Sequence, residues 1–130
     1  MADKIAFDLV APERLLLSCE ADMVTIPATE GYMGVIAGHA PVVTTLRVGM
    51  IDVQKDGSDD RYFIRGGFAE VGPTKVTVLA EEALPIAELD LAILDQRIKD
   101  AEEDLIAAPE SEKAAAGQAL DDLRMVRSAF

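Results

Sequence analysis

The hydrophobic period of this chain changes once, and that change fixes what the chain can fold into. Up to about residue 82 apolar residues alternate or come in short runs, whereas after Pro85 they recur every three to four residues. A period of two belongs to a half-buried strand and one of 3.6 to a helix, so a β part must precede an α part. In the first part Ile5, Phe7 and Leu9 alternate with Ala6 and Asp8. Arg14 to Cys19 and Met23 to Ile26 follow, the latter stopped by Pro27, then a Gly-rich segment from Gly31 to Pro41. Val42 to Leu46 and Val48 to Val53 lead to Asp56-Gly57-Ser58-Asp59-Asp60, which reads as a hairpin loop of about five residues. Arg61 to Arg65, a bend or bulge at Gly66-Gly67, Phe68 to Val71, a Gly72-Pro73 turn and Lys75 to Leu79 complete this part. Short strands divided by turn chemistry predict an antiparallel β-sandwich or barrel.

Beyond Pro85, Leu91, Leu94, Ile98, Ala101 and Leu105 form one stripe of a helix, with charged residues on its other faces. Pro109 ends that helix, and Ser111 is the expected N-cap of a second. Ala116, Ala119, Leu123, Val126 and Phe130 repeat the spacing. Two such helices joined by about four residues predict an antiparallel αα-hairpin. Its second seam begins with alanines and buries little area, so the hairpin is expected to lean reversibly on the sandwich or on a partner. The fold class read from the chain is therefore α+β: a β-sandwich over residues 1–84 and a helical hairpin over 85–130.

Composition narrows the function. The net charge is −12, Trp is absent, and after Phe68 no aromatic residue occurs until Phe130. Nucleic acid and anionic lipid both call for basic surfaces, and nucleic acid also for aromatic stacking platforms. A lone Cys19 can form no internal disulfide and reads as a small apolar residue in a strand. The opening residues lack the apolar core of a signal peptide, because Asp8 interrupts it. The longest uncharged run begins at Gly31, stops before Arg47, and is shorter than the ~20 residues of a membrane helix. The chain reads as a soluble protein without direct membrane insertion.

No catalytic motif occurs: there is no phosphate-binding glycine loop, no zinc-binding helix motif and no nucleophile elbow. His39 is the sole histidine, which leaves nothing for a histidine-rich metal site. The Asp56 to Asp60 cluster lacks the alternating carboxylates of a calcium loop. Glu81-Glu82 and Asp121-Asp122 read as solvated faces rather than acid–base pairs. His39 itself reads as a turn residue or as an interface contact. Arg124 and Arg127 either complement the dipole at a helix C-terminus or grip an acidic partner.

These residues also form an ordered series. Val10-Ala11-Pro12, Glu20-Ala21, Ile26-Pro27, Glu30-Gly31 and Gly34-Val35-Ile36 are followed by His39-Ala40-Pro41, Thr45-Leu46 and Gly49. Gly66-Gly67-Phe68-Ala69-Glu70-Val71 and Val76-Thr77-Val78-Leu79-Ala80 complete it. In this order they resemble the epsilon (ε) subunit family of F-type ATP synthases. The resemblance implies a ten-stranded β-sandwich with two antiparallel helices, serving as a non-catalytic rotor subunit of the central stalk. It implies the gamma (γ) subunit and the c-ring loops as partners, with the alpha and beta (α and β) subunits touched transiently through the hairpin. The place it implies is the cytoplasmic face of a bacterial plasma membrane, as a peripheral protein.

By position, Glu30, Gly31, Tyr32 and His39 fall where the family approaches γ and the c-ring. Arg124 and Arg127 fall on the helix through which some members inhibit ATP hydrolysis. Some members bind ATP between the helices through an Ile/Leu-Asp-x-x-Arg-Ala motif. Leu94-Asp95-Gln96-Arg97-Ile98 is one residue short of it and lacks the alanine, so no cofactor is expected. A free-standing regulatory binding module is the competing reading of the same residues.

Overall fold

Two long strands organise the first part of the chain. The structure, a computed structural model, describes residues 3–130. Its strands are β1 (Ile5–Ala11), β2 (Arg14–Ala21), β3 (Met23–Ala28), β4 (Gly31–Val35), β5 (Val42–Thr45), β6 (Gly49–Lys55), β7 (Ser58–Val71) and β8 (Lys75–Pro85). They are hydrogen-bonded in the order β2-β1-β8-β7-β6-β3-β4, and β5 also pairs with β7. The first half of β7 pairs with β6, from Lys55↔Ser58 to Gly49↔Ile64. Its second half pairs with β5, from Thr45↔Phe68 to Val42↔Val71. Between these halves Gly66 and Gly67 take φ values of +70° and +113°, and the sheet folds over into the two layers of a sandwich.

Among the described residues there are eight strands, not ten, because β7 and β8 each run through both layers without ending. The β7–β8 register holds from Tyr62↔Pro85 to Val71↔Val76, so Gly66-Gly67 is a bend with no inserted residue and not a bulge. One pair departs from the antiparallel expectation: β1 runs parallel to β8, from Ala6↔Lys75 to Val10↔Leu79. The core between the layers is filled by alternating residues, among them Ile5, Phe7, Leu9, Val24, Ile26, Ile51, Val53, Val76 and Val78, all fully buried. Cys19 packs partly buried against that core, and burial pushes its thiol pKa up.

Two turn expectations are corrected. Pro27 does not stop β3; it is buried in the strand opposite Tyr32. β3 pairs with β6 only over Met23 to Thr25, so the missing proline N–H costs no ladder bond there. The Asp56 cluster is not a five-residue loop, since Lys55 pairs directly with Ser58. Asp56 and Gly57 adopt φ values of +50° and +82°, the tight hairpin turn that an Asp-Gly pair favours. Ser58, Asp59 and Asp60 then join the ladder.

An ionic staple ties three segments of the sandwich together. Lys4 Nζ lies 2.5 Å from Asp22 Oδ1 and 2.7 Å from Asp56 Oδ1, and the Asp56 N–H donates to Asp22 Oδ2 at 2.9 Å. Its hydrogen bond from Lys4 lowers the Asp22 pKa below the ordinary value of 3.8. The Ser18 hydroxyl and Lys75 lower that of Asp8 in the same way. A depressed folded pKa contributes stability that is present above the unfolded value and lost as pH falls through the folded one. Acid destabilisation is therefore expected below about pH 4. In urea titrations Lys4→Gln should be less stable than the parent at pH 6 and converge with it toward pH 2. Parallel profiles over that range would contradict the assignment.

The second unit runs from Ala87 to Phe130 and holds α1 (Leu91–Ala107) and α2 (Lys113–Arg127). Asp90 caps α1, its carboxylate accepting the Ala92 N–H at 2.8 Å and the Ile93 N–H at 3.4 Å. Leu94 is fully buried, and Leu91, Ile98, Ala101 and Leu105 are half-buried, so the first stripe is as expected. The second is shifted: Ala119 and Phe130 are exposed, and Leu120, Leu123 and Val126 are buried. A spacing of three and four fits more than one face, and the face with Leu120 wins because it buries more apolar area. Phe130 drops out because α2 ends at Arg127. Ser111 is not the N-cap of α2; a single 3-10 turn, Glu110–Glu112, intervenes after Pro109, and Glu112 holds the cap position without a side-chain bond.

Candidate functional site

Three of the residues singled out by sequence meet at one end of the sandwich. Ala28 pairs with Gly31, so Thr29-Glu30 is a two-residue connection from β3 to β4, closed by Gly31 at φ +132°. Tyr32 lies opposite Pro27, and its hydroxyl accepts the Met50 N–H at 3.1 Å. Gly49 makes room for this arrangement. A methyl group there would stand 2.6 Å from the Tyr32 hydroxyl oxygen and 2.8 Å from Pro27 Cβ. Glu30 is exposed beside this fixed ring. A groove of about 460 Å³ separates the turn from β5; Thr29, Glu30, Gly31 and Tyr32 line one wall, and Val43 and Thr44 the other.

His39 is not part of this groove. It lies past the other end of β4, where its ring Nδ1 is 2.7 Å from the Ala40 carbonyl oxygen. The Gly38 N–H, donating to the Pro73 carbonyl at 2.7 Å, ties that loop to the Gly72-Pro73 turn. Arg124 and Arg127 belong to the second unit, in the last turn of α2, where both suit the helix dipole. Each also reaches α1: Arg124 Nη2 is 3.4 Å from Glu102 Oε2, and Arg127 Nε is 2.8 Å from Asp95 Oδ1. The Lys113 ammonium donates to the Leu105 carbonyl at 3.2 Å. The two arginines are thus engaged within the hairpin, and Asp95 is a partner of Arg127.

The register reveals a larger surface that the sequence reading missed. Thr45 lies opposite Phe68, Phe68 opposite Leu79, Leu79 beside Val10, and Val10 opposite Leu15. Paired residues share a face, so these side chains form one row across five strands. The row is on the outside: Leu15 is 58 % exposed, Phe68 43 % and Leu79 39 %. The adjacent outward row is mostly polar and includes Glu70, Thr77, Asp8 and Ser18. Asp8 there accepts from Ser18 at 2.7 Å and lies 3.0 Å from Lys75. An apolar row rimmed by polar groups is the anatomy of a protein-docking surface. The signal was present in the parity of β8: Val76, Val78 and Ala80 point inward, which leaves Leu79 as an apolar residue in an outward slot.

Glu81 and Glu82 both lie beside Arg65, at 3.3 Å and 3.7 Å, so the adjacent carboxylates are ion-paired on the surface. Among the described residues no helix is long and apolar enough to cross a membrane.

Comparison with known proteins decides the family. Residues 4–86 match the family described as ATP synthase, Delta/Epsilon chain, beta-sandwich domain. The chain is 51 % identical over 129 residues to the ATP synthase epsilon chain of Parvibaculum lavamentivorans, covering 98 % of each. This chain belongs to the ATP synthase epsilon family. A second epsilon chain, from Maricaulis maris, is 47 % identical over 113 residues, covering 87 % of this chain and 85 % of that one. A chain of the Euglena gracilis mitochondrial ATP synthase, solved as an OSCP/F1/c-ring assembly, superposes with a TM-score of 0.79. The two are 29 % identical, and the match covers 97 % of this chain and 81 % of that one. As an epsilon chain the protein is a non-catalytic subunit of ATP synthase, a membrane-associated complex. The fold class stands with it: a β-sandwich followed by a two-helix hairpin.

Proposed function

We propose that this epsilon chain is a rotor element of a proton-translocating synthase, at the cytoplasmic face of a bacterial plasma membrane. It docks through its sandwich on the γ subunit and meets the c-ring loops at the Glu30–Gly31–Tyr32 turn. The observation that carries the docking is the exposed row Leu15–Val10–Leu79–Phe68 on an otherwise well-packed sandwich. Burying such a row against a partner removes apolar area from water, the main drive for association. A rotor coupling needs a stiff body, and the sandwich supplies it by carrying β7 and β8 unbroken through both layers. The turn suits a ring contact because Tyr32 is locked over Gly49, which anchors the backbone next to the exposed Glu30. Full-length tagged chain, mixed with detergent-solubilised membranes of its host, should capture γ and the c-ring together. Capture of neither would sink the proposal.

The hairpin supplies regulation in this reading. Arg124 and Arg127 engage α1 when the helices are closed, and meet α and β subunit surfaces transiently when they part. Exposed ion pairs contribute roughly 0–1 kcal/mol each, so the closed form is lightly held. Hydrogen exchange should show α2 amides opening more readily than those of β7 and β8. The double variant Asp95→Asn, Glu102→Gln should speed α2 exchange about threefold to tenfold, as the loss of about 1 kcal/mol implies. Equal protection of hairpin and sandwich would contradict the mobility.

A further inference from the structure

Strand β5 is an edge strand protected only at its C-terminal end. It pairs with β7 on one side. On the other, Leu46 just past the strand bridges to Ala28 of β3, with the Arg47 N–H donating to the Pro27 carbonyl at 2.9 Å, and the rest of that side opens onto the groove beside Glu30. The Leu46 N–H donates to the Gly67 carbonyl at 2.9 Å, which extends the β5–β7 register by one step. Main-chain groups of successive residues alternate sides along an antiparallel strand. Thr44 and Val42 therefore also face β7, and Val43 and Thr45 face the groove. The Thr45 carbonyl bears this out, since it accepts the Thr29 hydroxyl there at 3.0 Å. Val43 thus presents both its N–H and its C=O to the groove, and it is 68 % exposed.

Natural edges are blunted by short length, charge, proline, a bulge or a covering element. β5 is short and bridged at its end, but it reads Val42-Val43-Thr44-Thr45, strong strand formers without a charge. Pro41 stands before it rather than in it, so the backbone of Val43 stays open to the groove. We infer that this edge takes an extended segment of a partner subunit as an added strand. The pairing deepens the docking proposed above and rests on it for the complex that supplies the segment. Charge selects the occupant. Among the described residues Glu30 is the one charged residue lining the groove, so the added segment carries a Lys or Arg beside it. A second copy of this chain would bring another −12 of net charge and a second Glu30 to the same place.

The test uses full-length chain and the host synthase stripped of it. Val43→Pro removes only the N–H that faces the groove and keeps a φ that an edge strand accepts. It should bind the stripped complex at least about tenfold more weakly than the parent, whereas Val43→Thr, which keeps the N–H, stays within about threefold. Glu30→Lys should also weaken binding by about tenfold. In the parent, amide exchange at Val43 should slow at least tenfold on binding, a readout independent of how Val43→Pro folds.

Parent-like binding by folded Val43→Pro, or a Val43 amide that exchanges alike free and bound, overturns the strand pairing while leaving the docking intact. Unchanged binding by Glu30→Lys overturns the basic character of the segment. Self-association of the parent that Val43→Pro abolishes replaces the partner by a second copy and overturns the inferred occupant. Failure of the parent to bind at all sinks both this inference and the rotor proposal.

Discussion

Replacing Gly67 with alanine should cost about 3–5 kcal/mol, the sum of backbone strain and overpacking. Gly67 sits at φ +113°, where an L side chain is strained. A methyl group built there would stand 2.8 Å from Ala80 Cα and closer still to the Leu79 carbonyl oxygen. Both clashing atoms belong to the backbone of β8, the neighbouring strand, so neither can move without breaking the ladder that joins the layers. Single domains are stable by about 5–15 kcal/mol, so the variant should be marginal and should melt far below the parent. Gly57→Ala is the matched control: it also has positive φ, at +82°, but nothing lies within 4 Å of the added methyl. It should cost only about 1–2 kcal/mol. Equal losses in the two variants would show that the bend does not depend on close approach of the strands.

The second large effect falls on binding. Phe68→Glu and Leu79→Glu place charge in the middle of the exposed row without touching the core, because Ala69 and Val78 are the inward neighbours. Each should weaken association with the stripped synthase by about a hundredfold, equivalent to about 2.8 kcal/mol. Stability should change little, since both side chains are already partly in water. Ile106→Glu controls for the charge. It is 82 % exposed at the C-terminal end of α1, outside the sandwich, and should leave binding within about twofold. Equal weakening by Ile106→Glu would assign the effect to net charge and remove the row from the interface.

The period change at Pro85 was enough to separate sandwich from hairpin, because burial imposes period two on strands and 3.6 on helices wherever a core exists. What it could not show is continuity. Gly66-Gly67 looks like punctuation in a sequence, and only the pairing with β8 reveals that β7 continues through it. Asp56-Gly57 is ambiguous for the opposite reason: the acidic residues beyond the turn have the composition of a loop, yet their backbone groups join the β6 ladder. In α2 the alanines gave no size contrast, so the periodicity could be started on either face, and Leu120 settled it. Glu30, Gly31 and Tyr32 are contiguous in sequence and meet in one groove. His39, only a few residues on, does not, because β4 carries the chain to the other end of the sandwich. The docking row was hidden because its members come from five strands, and no linear spacing brings Leu15 near Phe68.

Coupling is what a rotor subunit contributes, so it provides the most direct test. Inverted membrane vesicles from cells lacking this chain should hydrolyse ATP while pumping few protons for each ATP consumed. Adding the full-length chain should restore the proton gradient formed per ATP, and Leu79→Glu should fail to restore it. A gradient per ATP that is the same with and without the added chain would contradict the account.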